Sequence, residues 1–211
     1  MGLSVEVGLL AELMEEDPEG AEWLRESFAA VNKVLARENL PLHHEPETLP
    51  PMSNRCPLSG YPYSFLHYLR RAYACRKADK AWVAHALPPS EEPTDDPDLR
   101  AEYARGESHL LMHSDAEGFY VPVDFESVLY DQGEGVPGEA IGSSYRLLDE
   151  LLFVAPAIGI FPDGRNLSDE QANEIAALTD KDELHIEKLV WLSLFEAARL
   201  SIEHGTAICF A

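Results

Sequence analysis

The spacing of apolar residues predicts a strongly amphipathic helix near the start of the chain. Four of them recur at intervals of four, three and four residues, which places them on one face of a helix: Leu24, Phe28, Val31 and Leu35. Trp23 widens that apolar face. Asp17 can cap the first free N–H groups, and Pro18 suits the first helical position because its missing donor is harmless there. We therefore expect a helix from Pro18 to about Arg37.

A second apolar pattern predicts the central helix of the core in the C-terminal part of the chain. From about residue 180 to 204, more than half of the helical circumference is apolar, and Gly205 is suited to end the helix. Two short segments, 3–7 and 206–210, have the composition of strands. We expect them to pair with each other or with a hairpin formed by 108–113 and 119–125, which flank turn-forming residues.

The expected fold class is α+β. The prediction is a mainly helical single domain, 1–211, with six or seven helices around the long C-terminal helix and a small, mostly antiparallel sheet that includes the β-hairpin. A basic helix begins near Ser64, and a short helix is expected over 78–86. The proline-rich segment 40–63 is expected to be irregular, and the acidic, proline-rich segment 88–98 to be a surface loop.

Charge excludes a bare nucleic-acid surface. The 211 residues contain 38 acidic and 16 basic groups, for a formal net charge of −22. Segment 86–150 is the most acidic, whereas 51–85 is basic. The three cysteines are an odd number without C-x-x-C spacing, and the N-terminal segment lacks a basic leader pattern. Together these features favour a reduced, cytoplasmic protein that has no membrane segment.

The candidate metal ligands are His109, His113 and Asp115. In a strand or a helix, the two imidazoles could approach one divalent transition metal ion, and Asp115 would complete a two-histidine, one-carboxylate set. Glu117 is the candidate general base of such a site. The alternative is structural, with Asp115 serving the turn and both histidines partly buried. Since the spacing is only permissive, no cofactor is predicted outright.

The candidate anion-binding residues are His67, Arg70 and Arg71, on the basic helix. The alternative for this basic group is pairing with acidic elements of the same chain. The chain contains no P-loop and no G-x-S-x-G nucleophile elbow, and the glycines at 133, 135 and 138 lack the strand-to-helix context of a dinucleotide site.

No motif establishes a chemistry, so the prediction of function depends on charge. We expect a non-enzymatic, acidic protein-binding module, similar in its physics to immunity-type inhibitors, that engages a basic protein partner rather than nucleic acid or a membrane. The alternative is a metal-dependent hydrolase that uses the His109, His113 and Asp115 cluster. The sequence leaves the oligomeric state and the identity of the partner open.

Overall fold

The computed structural model describes residues 2–58, 60–88 and 90–211. In this part of the chain, eight α-helices are present: α1 (Leu9–Glu16), α2 (Pro18–Arg37), α3 (Ser64–Ala78), α4 (Pro97–Arg105), α5 (His109–Met112), α6 (Ser144–Val154), α7 (Asp169–Ala176) and α8 (His185–His204). Six strands form one sheet: β1 (Leu3–Val7), β2 (Gly60–Tyr61), β3 (Gly118–Val121), β4 (Leu129–Tyr130), β5 (Ala140–Ser143) and β6 (Ile208–Phe210). The α+β fold class is confirmed.

The sheet is mixed. Its strand order is β2-β1-β6-β3-β5-β4, and every neighbouring pair is antiparallel except β3 and β5, which are parallel. Strand β6 lies between β1 and β3, so the two ends of the chain meet at the centre of the sheet. The predicted hairpin is wrong, because residues 109–112 form helix α5 and β3 pairs instead with β5 and β6.

The core surrounds α8, as the sequence predicted. Trp191 and Phe195 are fully buried, and the Trp191 indole donates to the Leu151 carbonyl of α6 at 2.7 Å. The helix ends at Gly205 with a φ of 68° but begins at His185, later than expected. Residues 179–182 form a turn instead, in which the Asp182 carboxylate accepts the Thr179 N–H and hydroxyl.

Helix α3 packs against α8 and α6, and its residues 69–75 are all buried, Arg70 and Arg71 included. It continues to Ala78, and the short helix predicted over 78–86 is absent from the described residues there. The described residues of segment 40–63 are irregular apart from β2. Segment 88–98 contains a 3-10 turn at Pro93–Asp95 and the start of α4. Ser59 and Pro89, within these two segments, lie outside the described residues.

Helix α2 has the predicted bounds. The Asp17 carboxylate accepts the N–H groups of Glu19 and Gly20 at 3.2 and 3.1 Å. The apolar stripe is buried as expected, with one exception: Trp23 is 54% exposed. Helix α2 therefore presents a large aromatic ring to solvent. No helix in the described part of the chain is long and apolar enough to cross a membrane.

Removal of the α2 cap tests this part of the fold. We expect Asp17→Ala to lower the free energy of unfolding by about 1 kcal/mol, because two helical N–H groups lose their acceptor. Asp17→Ser keeps an acceptor at the same position and is expected to retain most of the stability. Denaturant unfolding of both variants gives the comparison; equal losses for Ala and Ser would refute the capping role.

Candidate functional site

Acidic and basic side chains are sorted between the surface and the interior. Of the 38 acidic residues, 28 are exposed, whereas 7 of the 16 basic residues are. The exposed basic residues are Lys33, Lys77, Lys80, Arg100, Arg105, Arg165 and Lys181. The surface is therefore more one-sided in sign than the composition of the whole chain.

Most arginines are used within the chain. Ten of the 11 form ion pairs with its own carboxylates: Arg25, Arg37, Arg55, Arg70, Arg71, Arg100, Arg105, Arg146, Arg165 and Arg199. Arg55, for example, pairs with the fully buried Glu196 at 2.5 Å, and the pKa of Glu196 is lowered by its arginine partners despite its burial. Because acidic groups outnumber basic ones and the arginines are already paired, many exposed carboxylates have no basic partner among the described residues.

Helices α1 and α2 carry a dense group of exposed carboxylates, which we call the N-terminal acidic face: Glu12, Glu15, Glu16, Asp17, Glu19, Glu22 and Glu26. The basic side chain within this stretch is Arg25, which pairs with Glu22 at 3.4 Å and with Glu47 at 2.7 Å. Glu19, Glu22 and Glu26 follow helical spacing on α2. At a rise of about 1.5 Å per residue they are separated by about 4.5 and 6 Å along the axis of α2.

Two further groups of exposed carboxylates lie elsewhere. One lies in the segment before α4 and in its first turn and consists of Glu91, Glu92, Asp95 and Asp98; the other extends from the start of α7 to the turn before α8 and consists of Asp169, Glu170, Glu174, Asp180, Asp182 and Glu183. Some of these groups also stabilise the fold, since Asp98, Asp169 and Glu170 lie in the first turns of helices. Negative charge is thus distributed over several helix ends.

The charge pattern of the sequence indicated segment 86–150, and not the N-terminal acidic face, as the most acidic part of the chain. Residues 86–150 have the largest acidic excess, but six of their sixteen carboxylates are not exposed: Asp96, Glu102, Asp115, Asp131, Glu134 and Glu150. In the first 50 residues, by contrast, nine of the eleven acidic side chains are exposed. Counting charges along the chain missed the N-terminal acidic face because it does not distinguish paired from free carboxylates.

A groove of about 420 Å³ lies beside the N-terminal acidic face. One wall is α2, with Trp23, Glu26 and Lys33, and the floor includes the small side chains of Ser27 and Ala30. The opposite wall is the turn 131–135, which contributes a glutamate and a glycine. The groove thus combines an exposed indole with a carboxylate.

The turn 131–135 is held firmly. Asp131 accepts the N–H groups of Gly133, Glu134 and Gly135. Arg37, at the C-terminal end of α2, pairs with Glu134 at 2.6 Å and donates to the Tyr130 carbonyl at 2.8 Å. The two walls of the groove are therefore tied together.

The proposed metal ligand His109 is buried, and both of its ring nitrogens have partners. Nδ1 accepts the Ser143 N–H at 3.0 Å, and Nε2 donates to the Glu126 carbonyl at 3.1 Å. This arrangement requires a neutral imidazole. Burial lowers the pKa of His109 to about 4.

His113 is fully buried, stacked on Tyr120 at 4.1 Å and edge-on to Phe210. Its Nδ1 donates to the Ser114 carbonyl, its Nε2 has no hydrogen-bond partner in the described part of the chain, and burial lowers its pKa to about 4. Asp115 is directed towards Arg70, and Glu117 is an exposed turn residue. The structure does not bring His109, His113 and Asp115 together as a set of ligand atoms.

The group of potential ligand atoms that does come together in the described residues is Cys75, Asp96 and Asp98, with all separations within 4.8 Å. Asp96 already accepts from the Arg71 guanidinium, the Cys75 thiol and the Asp98 N–H. Burial and the nearby Asp96 raise the pKa of Cys75 to about 12. This is the hydrogen-bond pattern of a helix cap with a neutral thiol.

The three candidate anion-binding residues lie on α3, and the two arginines are directed inward. Arg71 is buried, pairs with Asp96 at 2.8 Å and lies over the Trp82 ring. Arg70 is 1% exposed and pairs with Asp115, which is also 3.5 Å from His67 Nε2. Burial lowers the pKa of His67. Internal pairing, the alternative interpretation of the basic segment, is thus observed for both arginines.

Arg70 and Glu150 hold helix α5 at opposite ends. Glu150 accepts the N–H groups of His109 and Leu110 and the Ser108 hydroxyl, at 3.0, 2.7 and 2.9 Å. Arg70 donates to the carbonyls of Leu110 and His113 at 2.8 and 2.9 Å. The carboxylate thus lies at the N-terminal end of α5 and the guanidinium at its C-terminal end, where each charge interacts favourably with the helix dipole. The sequence did not single out Glu150, whose burial raises its pKa to about 7.

Comparison with known proteins supplies a family. Residues 1–210 match the model of a family described as "Putative DNA-mimic protein". The chain therefore belongs to that family. Comparisons with curated proteins and with solved structures give no match.

Family membership corrects the functional predictions. The expected immunity-type inhibitor and the alternative metal-dependent hydrolase are both wrong, because the family is described by mimicry of DNA. The expected partner is corrected as well: the family description implies a protein that binds DNA, instead of any basic protein. The physical basis of the earlier prediction, an acidic surface, was sound, but negative charge alone does not distinguish an inhibitor of a toxin from a mimic of DNA.

Proposed function

We propose that this protein is a DNA mimic that occupies the nucleic-acid-binding surface of a DNA-binding protein. The observation that carries the proposal is the match of residues 1–210 to the DNA-mimic family. Proteins that bind DNA present arginines and lysines to the phosphates, and much of their affinity is electrostatic. The surface of this protein exposes carboxylates, and its arginines are paired within the chain. It therefore presents negative charge to such a partner, as the phosphates of DNA do.

We assign the contact surface to the N-terminal acidic face. Seven exposed carboxylates lie within residues 12–26, on two consecutive helices of which α2 is packed on the core through Leu24 and Phe28. A rigid helix fixes the spacing of the charges, which lowers the ordering cost of binding. The adjacent groove with Trp23 adds apolar area to a surface that would otherwise bind through charge alone.

Competition with DNA tests this function. The immobilised protein is incubated with an extract of its source organism, and retained proteins are eluted either with a short duplex DNA or with a neutral polymer at the same salt concentration. A protein eluted by duplex is then purified, and its complex with labelled duplex is titrated with the acidic protein. We expect the acidic protein to release the duplex, and its affinity for the partner to fall steeply as salt increases.

Charge variants locate the surface. The variant Glu15→Gln, Glu19→Gln, Glu22→Gln, Glu26→Gln removes four charges from the N-terminal acidic face. We expect it to bind the partner at least about tenfold more weakly at physiological salt, because close charge pairs contribute strongly to such interfaces. The matched control removes four charges elsewhere, with Glu170→Gln, Glu174→Gln, Asp180→Asn and Glu183→Gln.

Two results would count against the proposal. If no retained protein releases its duplex when the acidic protein is added, the mimicry is refuted. If the two charge variants lose affinity equally, the binding surface is not the N-terminal acidic face, even though competition with DNA persists.

A further inference from the structure

Trp23 is a large aromatic residue of α2 that does not pack into the core. Its neighbours Leu24 and Phe28 are buried in the core, whereas the Trp23 indole is 54% exposed and lines the groove between α2 and the turn 131–135. Tryptophan is among the residue types that contribute most to binding at protein interfaces. What this ring contacts in a complex depends on the chemistry around it.

Two carboxylates lie on the same helical face as Trp23. Glu19 is four residues before it and Glu26 three residues after it, positions whose side chains are neighbours on an α-helix. Both are exposed, and within the described residues neither pairs with a basic side chain, since Arg25 engages Glu22 and Glu47. Lys33 also lines the groove, but it lies about 10.5 Å along the axis from Glu26. The ring therefore lies between two uncompensated negative charges.

This combination matches a guanidinium group. A planar cation can lie against the indole face and donate to a carboxylate at the same time, and arginine does both, whereas lysine is a compact point charge. The small side chains on the floor of the groove, Ser27 and Ala30, leave room for a flat group. In DNA, an aromatic base lies next to a phosphate; here Trp23 lies next to Glu19 and Glu26.

We propose that the groove between α2 and the turn 131–135 binds an arginine side chain of the partner, stacked on Trp23 and paired with Glu26. This inference rests on the proposed function for the identity of the partner as a DNA-binding protein. It adds that the recognition is selective for arginine over lysine, which an acidic surface alone does not provide.

The test uses two peptides of equal length and charge, nona-arginine and nona-lysine. Binding to the full chain is measured by calorimetry at about 0.15 M salt, where long-range attraction is largely screened. We expect the arginine peptide to bind about fivefold or more tightly. Trp23→Ala is expected to reduce this preference to less than twofold while changing the affinity for nona-lysine little. Glu26→Gln is expected to weaken the arginine peptide more than the lysine peptide.

Phe161→Ala is the matched control, because Phe161 is also a strongly exposed aromatic residue, at 66%. It is expected to keep the full arginine preference, and Trp23→Phe to keep part of it. Since Trp23 is exposed, its variants are expected to fold, which thermal unfolding checks. Equal binding of the two peptides to the unaltered protein, or an arginine preference that survives Trp23→Ala, would overturn the proposal.

The outcomes for the two proposals are separable. If the protein displaces duplex from a DNA-binding protein but binds both peptides alike, the mimicry is supported and the arginine groove is refuted. If Trp23 confers an arginine preference but no duplex is displaced, the groove is supported as an arginine site and the mimicry is refuted.

Discussion

Replacing Arg70 with methionine is expected to lower the free energy of unfolding by about 3–5 kcal/mol, because two buried carbonyls each lose a charged donor. Arg70 is 1% exposed, and its guanidinium donates to two carbonyls, those of Leu110 and His113, as well as to Asp115. Methionine fills much of the volume but donates no hydrogen bond. The two carbonyls then stay buried without a partner, and the C-terminal end of α5 loses its cation.

The control for Arg70→Met is Arg100→Met. Arg100 also pairs with an aspartate, Asp95 at 2.7 Å, but its side chain is exposed, so the expected loss is under about 1 kcal/mol. The free energy of unfolding of both variants is measured by chemical denaturation, with one shared slope of free energy against denaturant concentration. Arg70→Lys is expected to stay well below the unaltered protein in stability, because an ammonium cannot reproduce the planar fork of donors. Similar small losses for Arg70→Met and Arg100→Met would contradict the role assigned to Arg70.

The local elements of the fold could be predicted from the sequence, and the reasons are physical. Helix α2 has a cap, a proline at its first position and an apolar stripe, all of which act within a few residues of the chain. Pairing between strands that are distant in the sequence could not be predicted in the same way. Residues 109–112 are apolar enough for a strand, but Glu150 and Arg70, about 40 residues away on either side, cap them as a helix. Capping of this kind depends on tertiary contacts that local periodicity does not contain.

The candidate site was predicted in its sign of charge but not in its position. Net charge is a property of the sequence, and a negative surface follows from it. Which carboxylates are free depends on where the arginines fold, and the arginines pair with residues as distant as Glu134 from Arg37 and Glu196 from Arg55. Trp23 illustrates the same limit, because its place beside the apolar stripe of α2 favours burial, whereas its ring is exposed in the groove beside the turn 131–135.

Acidification is expected to destabilise the protein through its buried histidines. Burial lowers the pKa of His109 and His113 to about 4, from an ordinary value of 6.5. Between these values the unfolded chain binds protons that the folded chain does not bind, so stability falls as the pH decreases from 6.5 towards 4. From pH 7 to 4.5, each histidine is expected to remove about 2–3 kcal/mol.

Glu150 acts in the opposite direction over the same range. Because burial raises its pKa to about 7, the folded protein takes up this proton before the unfolded chain does. Stability from Glu150 therefore increases as the pH falls from 7 to 4.5, by about 2–3 kcal/mol. Because the gain from Glu150 cancels the loss from one of the two histidines, the free energy of unfolding of the unaltered protein is expected to fall by about 2–3 kcal/mol between pH 7 and 4.5.

Single variants separate these opposing effects. Unfolding by denaturant is measured at pH 7 and pH 4.5 for the unaltered protein, Glu150→Gln and His113→Phe. Glu150→Gln removes the offset and is expected to increase the acid-induced loss by about 2–3 kcal/mol, whereas His113→Phe keeps the stacking on Tyr120 and is expected to reduce it by a similar amount. An acid-induced loss that is the same in all three proteins would show that neither group titrates in its buried state. Because Glu150 accepts the first N–H groups of α5 and His113 directly follows its last residue, opposite shifts in the two variants would place the acid sensitivity of the fold at α5 rather than at the carboxylate surface.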